Sequence, residues 1–231
     1  MPPIPTGPAD ATSPQEIVRR GYDALAERYD EAFGSATKYG PWLDELRAPL
    51  APGSDVLDLG CGGGVPVARD LTAAGHRVTG VDLSPRQIAR ARERVPGAAF
   101  VEADLTDPAA FDPRPGSFDA VVCLYALIHV PEAEHPALLR RIAAWLRPGG
   151  RLLCTTGEHA LTGSDPDWLG GGVPMWWSHP DAATSHAWLT EAGLDVVRQE
   201  FVPEGDGGHA LFWARKGGNG GKGNGGKGGA A

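Results

Sequence analysis

VLDLGCGGG, Val56 to Gly64, is an apolar run that breaks into glycines and leads into a helical stretch, Val65 to Ala74. A strand, a tight turn and a helix in that order are the opening unit of a doubly wound α/β fold. Gly60 and Gly62 let the backbone bend sharply and approach a ligand with no Cβ in the way. Everything downstream repeats the rhythm. Short apolar runs follow at 55–60, 76–82, 98–104, 118–127, 150–156, 194–202 and 208–216, seven strand candidates in all. Helical patterns fill most of the gaps: Ser84 to Val95 with Ser84 as N-cap before Pro85, Pro136 to Leu146, and His179 to Ala192 closed by Gly193. This alternation predicts a Rossmann-like, doubly wound α/β sheet of seven strands, mostly parallel with an antiparallel last strand, and helices on both faces.

Upstream of the turn, Ile17, Val18, Tyr22, Leu25 and Tyr29 recur at spacings of three and four, the mark of an amphipathic helix from Pro14 to about Tyr29. A second short helix is expected from Trp42 to Leu50. Residues 1–50 therefore read as a small helical N-terminal cap and 51–216 as the main domain. Within it, 157–179 combines five glycines and two prolines with Trp168, Trp176 and Trp177, too long for a connector and too aromatic for disorder. It is expected to be an acceptor lid. The end, GGNGGKGNGGKGGAA from Gly217, has nothing to bury and reads as a flexible tail over 217–231.

The 231 residues suffice for one generous domain with its own core, and 42% hydrophobic with 22% charged residues is the mix of an ordinary globular protein. Acidic residues outnumber basic ones 29 to 21, a field that repels phosphate backbones, so no nucleic-acid partner is expected. The opening MPPIPTGPAD lacks a basic start and an apolar run, and no stretch approaches the ~18 apolar residues of a membrane span, which leads to the expectation of a cytoplasmic protein without membrane contact. The wealth of Gly, Pro, Ala and Arg is that of a GC-rich bacterial genome. Cys61, Cys123 and Cys154 are too few and too scattered for a disulfide framework or a CxxC zinc site, and read as buried free thiols.

Gly60 and Gly62 also match the first two positions of the dinucleotide fingerprint GxGxxG, but its third falls on Val65. Asp58, two residues before the first glycine, would confront a diphosphate with a negative charge, whereas a cationic ligand would welcome it. At this turn the sequence resembles the class I SAM-dependent methyltransferases. Their cofactor, S-adenosylmethionine, carries a sulfonium, an ammonium and a carboxylate, which suit an acidic strand end beside free helix N–H groups. Asp82 ends the second strand 24 residues after Asp58, where a carboxylate can accept from both ribose hydroxyls, although Asp-Leu-Ser-Pro also reads as a plain helix start. Asp104 ends the third strand 22 residues later, and the resemblance implies that it accepts from the adenine amino group while the Leu105 N–H meets the ring. A turn-forming role for Asp104 stays open.

SFDAVVCLYALIHVP and LRPGGRLLCTT also look like segments of that family, and the matches run in the right order from about Val56 to Thr156. The resemblance implies further cofactor contacts from Cys61, Leu83, Gln87 and Leu124, and from Tyr22 and Tyr29, which sit seven apart on one helix face and could equally be packing residues. Methyl transfer from a sulfonium is an in-line displacement whose main demands are alignment and exclusion of water. Where the acceptor is a hydroxyl or a protonated amine, a base helps. His129, just past the fourth strand, is the first candidate, with the structural reading of a hydrogen-bonded histidine open beside it. Tyr125, His129, Glu158, Trp176, Trp177 and His179 are the expected acceptor contacts, with His186, His209 and Glu204 behind them. No HxH or HxxxH spacing points to metal. The resemblance implies O- or N-methylation of a small, largely apolar metabolite, of the kind met in biosynthesis, by a monomer or homodimer. Two rivals remain: a SAM-binding fold used for a non-methylating reaction such as cyclisation, and a nicotinamide-dependent oxidoreductase.

Overall fold

A computed structural model describes residues 12–33 and 37–218. The main sheet is built from β1 (Asp55–Leu59), β2 (Arg77–Asp82), β3 (Ala99–Glu102), β4 (Phe118–Cys123), β5 (Leu146–Gly157), β8 (Leu194–Glu204) and β9 (Gly207–Lys216). Its order is β3-β2-β1-β4-β5-β9-β8. β1 to β5 pair in parallel, and only β9, slotted between β5 and β8, runs against its neighbours. The chain reverses its strand order between β1 and β4, so a crevice opens at the carboxyl ends of those two strands.

Both faces are covered because the strands are apolar on both sides. Along β1 and β4, Leu57, Leu59, Val121 and Cys123 join a core with α5 (His135–Trp145) and α6 (Ala182–Glu191). Val56, Ala120 and Val122 join the opposite core with α2 (Tyr39–Arg47), α3 (Val67–Ala73) and α4 (Pro85–Arg94). All three cysteines are buried free thiols. The buried apolar residues Val18 and Leu25 of α1 (Pro14–Phe33) belong to neither core. They pack on Trp168 and Met175 in a third, smaller cluster.

Several boundaries move from the sequence reading. The 157–179 stretch, expected as an irregular lid, folds as a separate hairpin of β6 (Leu161–Asp165) and β7 (Met175–His179), with Ser164 opposite Trp176 and Leu161 opposite His179. Pairing of these strands away from the main sheet consumes the backbone groups that composition alone leaves as loop. α6 consequently starts at Ala182 rather than His179, capped by Asp181, whose side chain accepts from the Thr184 N–H at 2.8 Å. β5 begins four residues early, because the Arg147 to Gly150 turn runs straight into the sheet. The predicted tail lies outside the described residues from 219 onward.

Candidate active site

Between α1 and the carboxyl ends of β1 to β4 lies a cleft of about 760 Å³, counted out to open solvent. Its floor is the glycine turn. Gly60 stands at φ +69, and an added Cβ there would lie 2.2 Å from that of Ala126, so only glycine lets the turn after β1 close on the segment after β4. Gly62, at φ +52, has no atom within 4 Å of where a Cβ would stand, leaving the backbone bare toward the cleft.

Beneath the turn sits Asp58, 2% exposed. Its Oδ2 has no hydrogen-bond partner among the described residues. Burial, and then the charge of Asp82, push its carboxyl up to about 8. Asp82 lines the cleft with both oxygens engaged: Oδ2 accepts from the Gly62 N–H at 2.8 Å and Oδ1 from the Ser84 N–H at 2.9 Å. Burial raises its carboxyl to about 6 against the pull of those amides. Asp104 accepts from the N–H and hydroxyl of Thr106 through Oδ1, at 2.8 and 2.7 Å, and among the described residues Oδ2 has no partner. Asp82 and Asp104 thus line the cleft, while Asp58, expected there too, lies buried beneath its floor.

Leu83, Gln87, Leu105 and Leu124 also line the cleft. Gln87 is 1% exposed and neither its amide nitrogen nor its oxygen finds a partner among the described residues. Cys61 is different from the expectation. Its N–H donates to the Val81 carbonyl at 3.0 Å and its thiol is buried in the core that holds Val67 and Phe100, so it offers the cleft nothing polar.

α1 forms the opposite wall through Gln15, Val18, Arg19, Tyr22 and Tyr29. The tyrosine rings meet edge to face at 5.4 Å. The Tyr22 hydroxyl lies 2.9 Å from His129 Nε2, and His129 Nδ1 lies 2.8 Å from the Trp176 carbonyl. A carbonyl can only accept, so Nδ1 carries the proton, Nε2 presents a lone pair, and Tyr22 donates to it. Burial pushes the His129 imidazole down to about 4, so it is neutral at ordinary pH. Tyr125 stands at φ +59, an uncommon place for an aromatic residue, with its N–H held by Thr155 Oγ1 at 2.6 Å. The Lys38 ammonium sits 4.3 Å over its ring and pairs with Glu204 at 2.7 Å.

Not every expected acceptor contact arrives here. Trp176 and Trp177 pack against α1 rather than line the cleft, reaching it only through His129, whose ring lies 5.8 Å from that of Trp177. His179 is buried over Gly157, where an added Cβ would meet its ring at 1.8 Å. Glu158 belongs to an open hollow with His159, Asp181 and His186. In exchange, the structure brings in Arg19 and Thr106, and near the buried Asp58 it places Tyr39, whose hydroxyl is pushed up by burial and by the surrounding charges, that of Asp58 included. Tyr39 precedes the helix expected from Trp42 to Leu50, which in fact begins at Tyr39, and Arg19 lies off the apolar positions of the first helix, so neither carried a signal in the sequence. Among the described residues no group of three His, Cys, Asp or Glu could hold a metal, and no helix is long and apolar enough to cross a membrane.

The profile of a methyltransferase domain family matches residues 29–199. Among characterised sequences, 27-O-demethylrifamycin SV methyltransferase of Amycolatopsis mediterranei (strain S699) is 36% identical over 164 residues, which are 61% of this chain and 57% of that protein. The chain thus spans little more than half the length of this relative. Among solved structures, 1,6-didemethyltoxoflavin-N1-methyltransferase of Burkholderia thailandensis, with its substrate and S-adenosylhomocysteine bound, aligns with a TM-score of 0.69 over 91% of this chain and 93% of its own, at 22% identity. The cyclase SpnF aligns at 0.70 over 90% and 98%, at 20% identity. At these identities the two structures establish the fold.

Proposed function

The chain belongs to the methyltransferase domain family, and from that membership we propose that it moves a methyl group from S-adenosylmethionine to an oxygen or nitrogen of a small, largely apolar metabolite. Oxygen is favoured, since the sequence relatives are named O-methyltransferases. One observation carries the reading: a buried carboxylate with an unpartnered oxygen, Asp58, under a glycine turn whose backbone is bare at Gly62. Ionising a buried carboxyl that has no partner is costly, so Asp58 holds its proton, and a cationic ligand removes that cost. A diphosphate would add to it, which sets the nicotinamide reading aside.

The residues fit the cofactor. Asp58 and the glycine turn would hold its amino-acid end, Asp82 its ribose, and Asp104 with the Leu105 N–H its adenine. The unpartnered amide of Gln87 awaits a polar ligand group. When bound, S-adenosylmethionine supplies the electrophilic methyl on a sulfonium. The chain's own part is to line the approach with Tyr22, Tyr29, Leu124 and Tyr125 and keep water out. An acceptor hydroxyl reaching Tyr22 can pass its proton to the phenol oxygen as Tyr22 gives its own to His129 Nε2. The Nδ1–H to Trp176 carbonyl bond holds the imidazole in the tautomer this requires.

Calorimetric titration with S-adenosylhomocysteine tests the site, with NADH as control, and methyl-labelled cofactor tests the reaction. Saturable heat from the first, none from NADH, and label recovered in a small-molecule fraction are expected. No heat from S-adenosylhomocysteine, or tighter binding of NADH, would end this reading.

A further inference from the structure

Arg19 lines the cleft, yet its guanidinium is already spoken for at its edges. Nε and Nη2 donate to the two oxygens of Glu16 at 2.7 and 2.8 Å, and Nη1 donates to Asp23 at 2.7 Å. Glu16 also accepts from Arg20 Nε at 2.6 Å, so two carboxylates balance two guanidiniums, and Arg19, with three donors already engaged, is a poor anchor for an anionic group of a ligand. What it keeps for the cleft is a flat, delocalised face held rigidly in place by three in-plane bonds. Such a face is weakly hydrated and stacks well on aromatic rings.

Its position says which part of a ligand it meets. Arg19 belongs to the α1 wall, one turn before Tyr22, and its partner Asp23 accepts at 2.6 Å from the hydroxyl of Ser84, just past the tip of β2 and beside β3. It therefore lies toward the tips of β2 and β3, where Asp82 and Asp104 are, rather than toward Asp58 and the methyl-transfer end. The third wall there is Leu105 and Thr106. A planar heterocycle between those strand tips and α1 has one polar edge at Asp104 and one face toward Arg19.

We propose that Arg19 is a cofactor-binding residue that stacks its guanidinium on the adenine ring, clamped flat by Glu16 and Asp23. This rests on the reading of the cleft as an S-adenosylmethionine site. It makes α1 a source of affinity as well as a cover, and it gives Glu16 and Asp23 the task of holding the guanidinium plane.

The test compares Arg19→Ala and Arg19→Phe with wild type in calorimetric binding of S-adenosylhomocysteine and of methylthioadenosine, which keeps the adenosine end and lacks the amino acid. Both variants lose the same ion pairs, and only Phe keeps a flat face. Arg19→Ala is expected to weaken both ligands alike, by about tenfold, the scale of one stacked base, and Arg19→Phe to bind both within about threefold of wild type. Phe as weak as Ala would make Arg19 a structural ion-pair residue and overturn the proposal. So would a loss in Ala confined to S-adenosylhomocysteine, or a wild type that binds S-adenosylhomocysteine but not methylthioadenosine. A wild type that binds neither ligand overturns the function proposed above instead.

Discussion

His129 is a histidine with no idle nitrogen. Nδ1–H is fixed on the Trp176 carbonyl, Nε2 receives the Tyr22 hydroxyl, and burial holds the imidazole near 4. A group with that value is neutral through the physiological range, always able to accept a proton but doing so weakly, which suits a relay that shares the proton with a phenol better than a lone base. Two outcomes follow at this scale. The His129 ring resonances should not titrate between pH 5 and 8, and a midpoint near the ordinary 6.5 would contradict the burial. Tyr22→Phe should lower turnover by about 10- to 100-fold while S-adenosylhomocysteine affinity changes much less. Equal losses in both would reduce Tyr22 to a binding surface. Sequence reading reached His129 and Tyr22 separately, one as a base and one as a cover. Their bond spans 107 residues of chain, and no spacing rule reports it.

α1 is held as an element by its sides. Asp23, Glu27 and Asp30, at four- and three-residue spacing, face α4, where Ser84 donates to Asp23 at 2.6 Å, Arg86 to Glu27 at 2.7 Å, and both Arg90 and Arg94 reach Asp30. Its other side is tied to the hairpin by Arg28, which donates to the Leu169 carbonyl at 3.1 Å. Gly21 fits the closest approach, since a Cβ there would meet Met175 Cε at 2.6 Å and the Pro174 carbonyl at 3.1 Å. α1 thus crosses the cleft as a strap fastened by charge along one edge, and ligand release is expected to need that edge to part. Exposed pairs are screened by salt within about 8 Å at physiological ionic strength. Asp30→Asn removes the partner of two arginines and should speed dissociation of S-adenosylhomocysteine about three- to tenfold in stopped flow at low salt, with a smaller difference at high salt. An unchanged rate at low salt would mean that release does not pass α1. The sequence shows the apolar face of this helix through 18, 22, 25 and 29. Which acids meet which arginines was illegible, because charged residues on a solvent face and on an interhelical seam carry the same pattern.

For the whole molecule, the cost of the site is read in stability against pH. The folded protein holds the Asp58 proton up to about 8, while an unfolded chain releases it near the usual carboxylate value. Folded protein therefore binds more protons over that span, and stability falls as pH rises through it, by at most about 1.4 kcal/mol per pH unit. Asp82 acts in the same direction up to about 6. His129 acts oppositely between 4 and 6.5, where the unfolded chain binds the extra proton. Between 6.5 and 8 only Asp58 of these three still acts. Urea unfolding of the ligand-free protein should lose stability across that interval, and Asp58→Asn should abolish the slope. Equal slopes in the two proteins would show that Asp58 is ionised and satisfied without a ligand. Saturating S-adenosylmethionine should flatten the wild-type slope as well, since a cation beside Asp58 favours its charged form.

What the sequence by itself determined is the order of elements and the chemistry of the strand tips. A glycine turn after an apolar run, and acids 24 and 22 residues apart, are local features, and parallel pairing converts them into neighbours without further information. The separate hairpin within 157–179, the burial of the Cys61 thiol in the core, the absence of Glu158 and His179 from the cleft lining, and the arrival of Arg19 in it were decided only by tertiary structure. Apart from Cys61, which sits in the glycine turn itself, each depends on where a segment outside the repeating strand and helix rhythm packs, and that is settled by which apolar surface remains uncovered once the sheet has formed. Trp168, Met175, Val18 and Leu25 cover one another at the mouth of the crevice, and their contact sets which side of α1 looks into it.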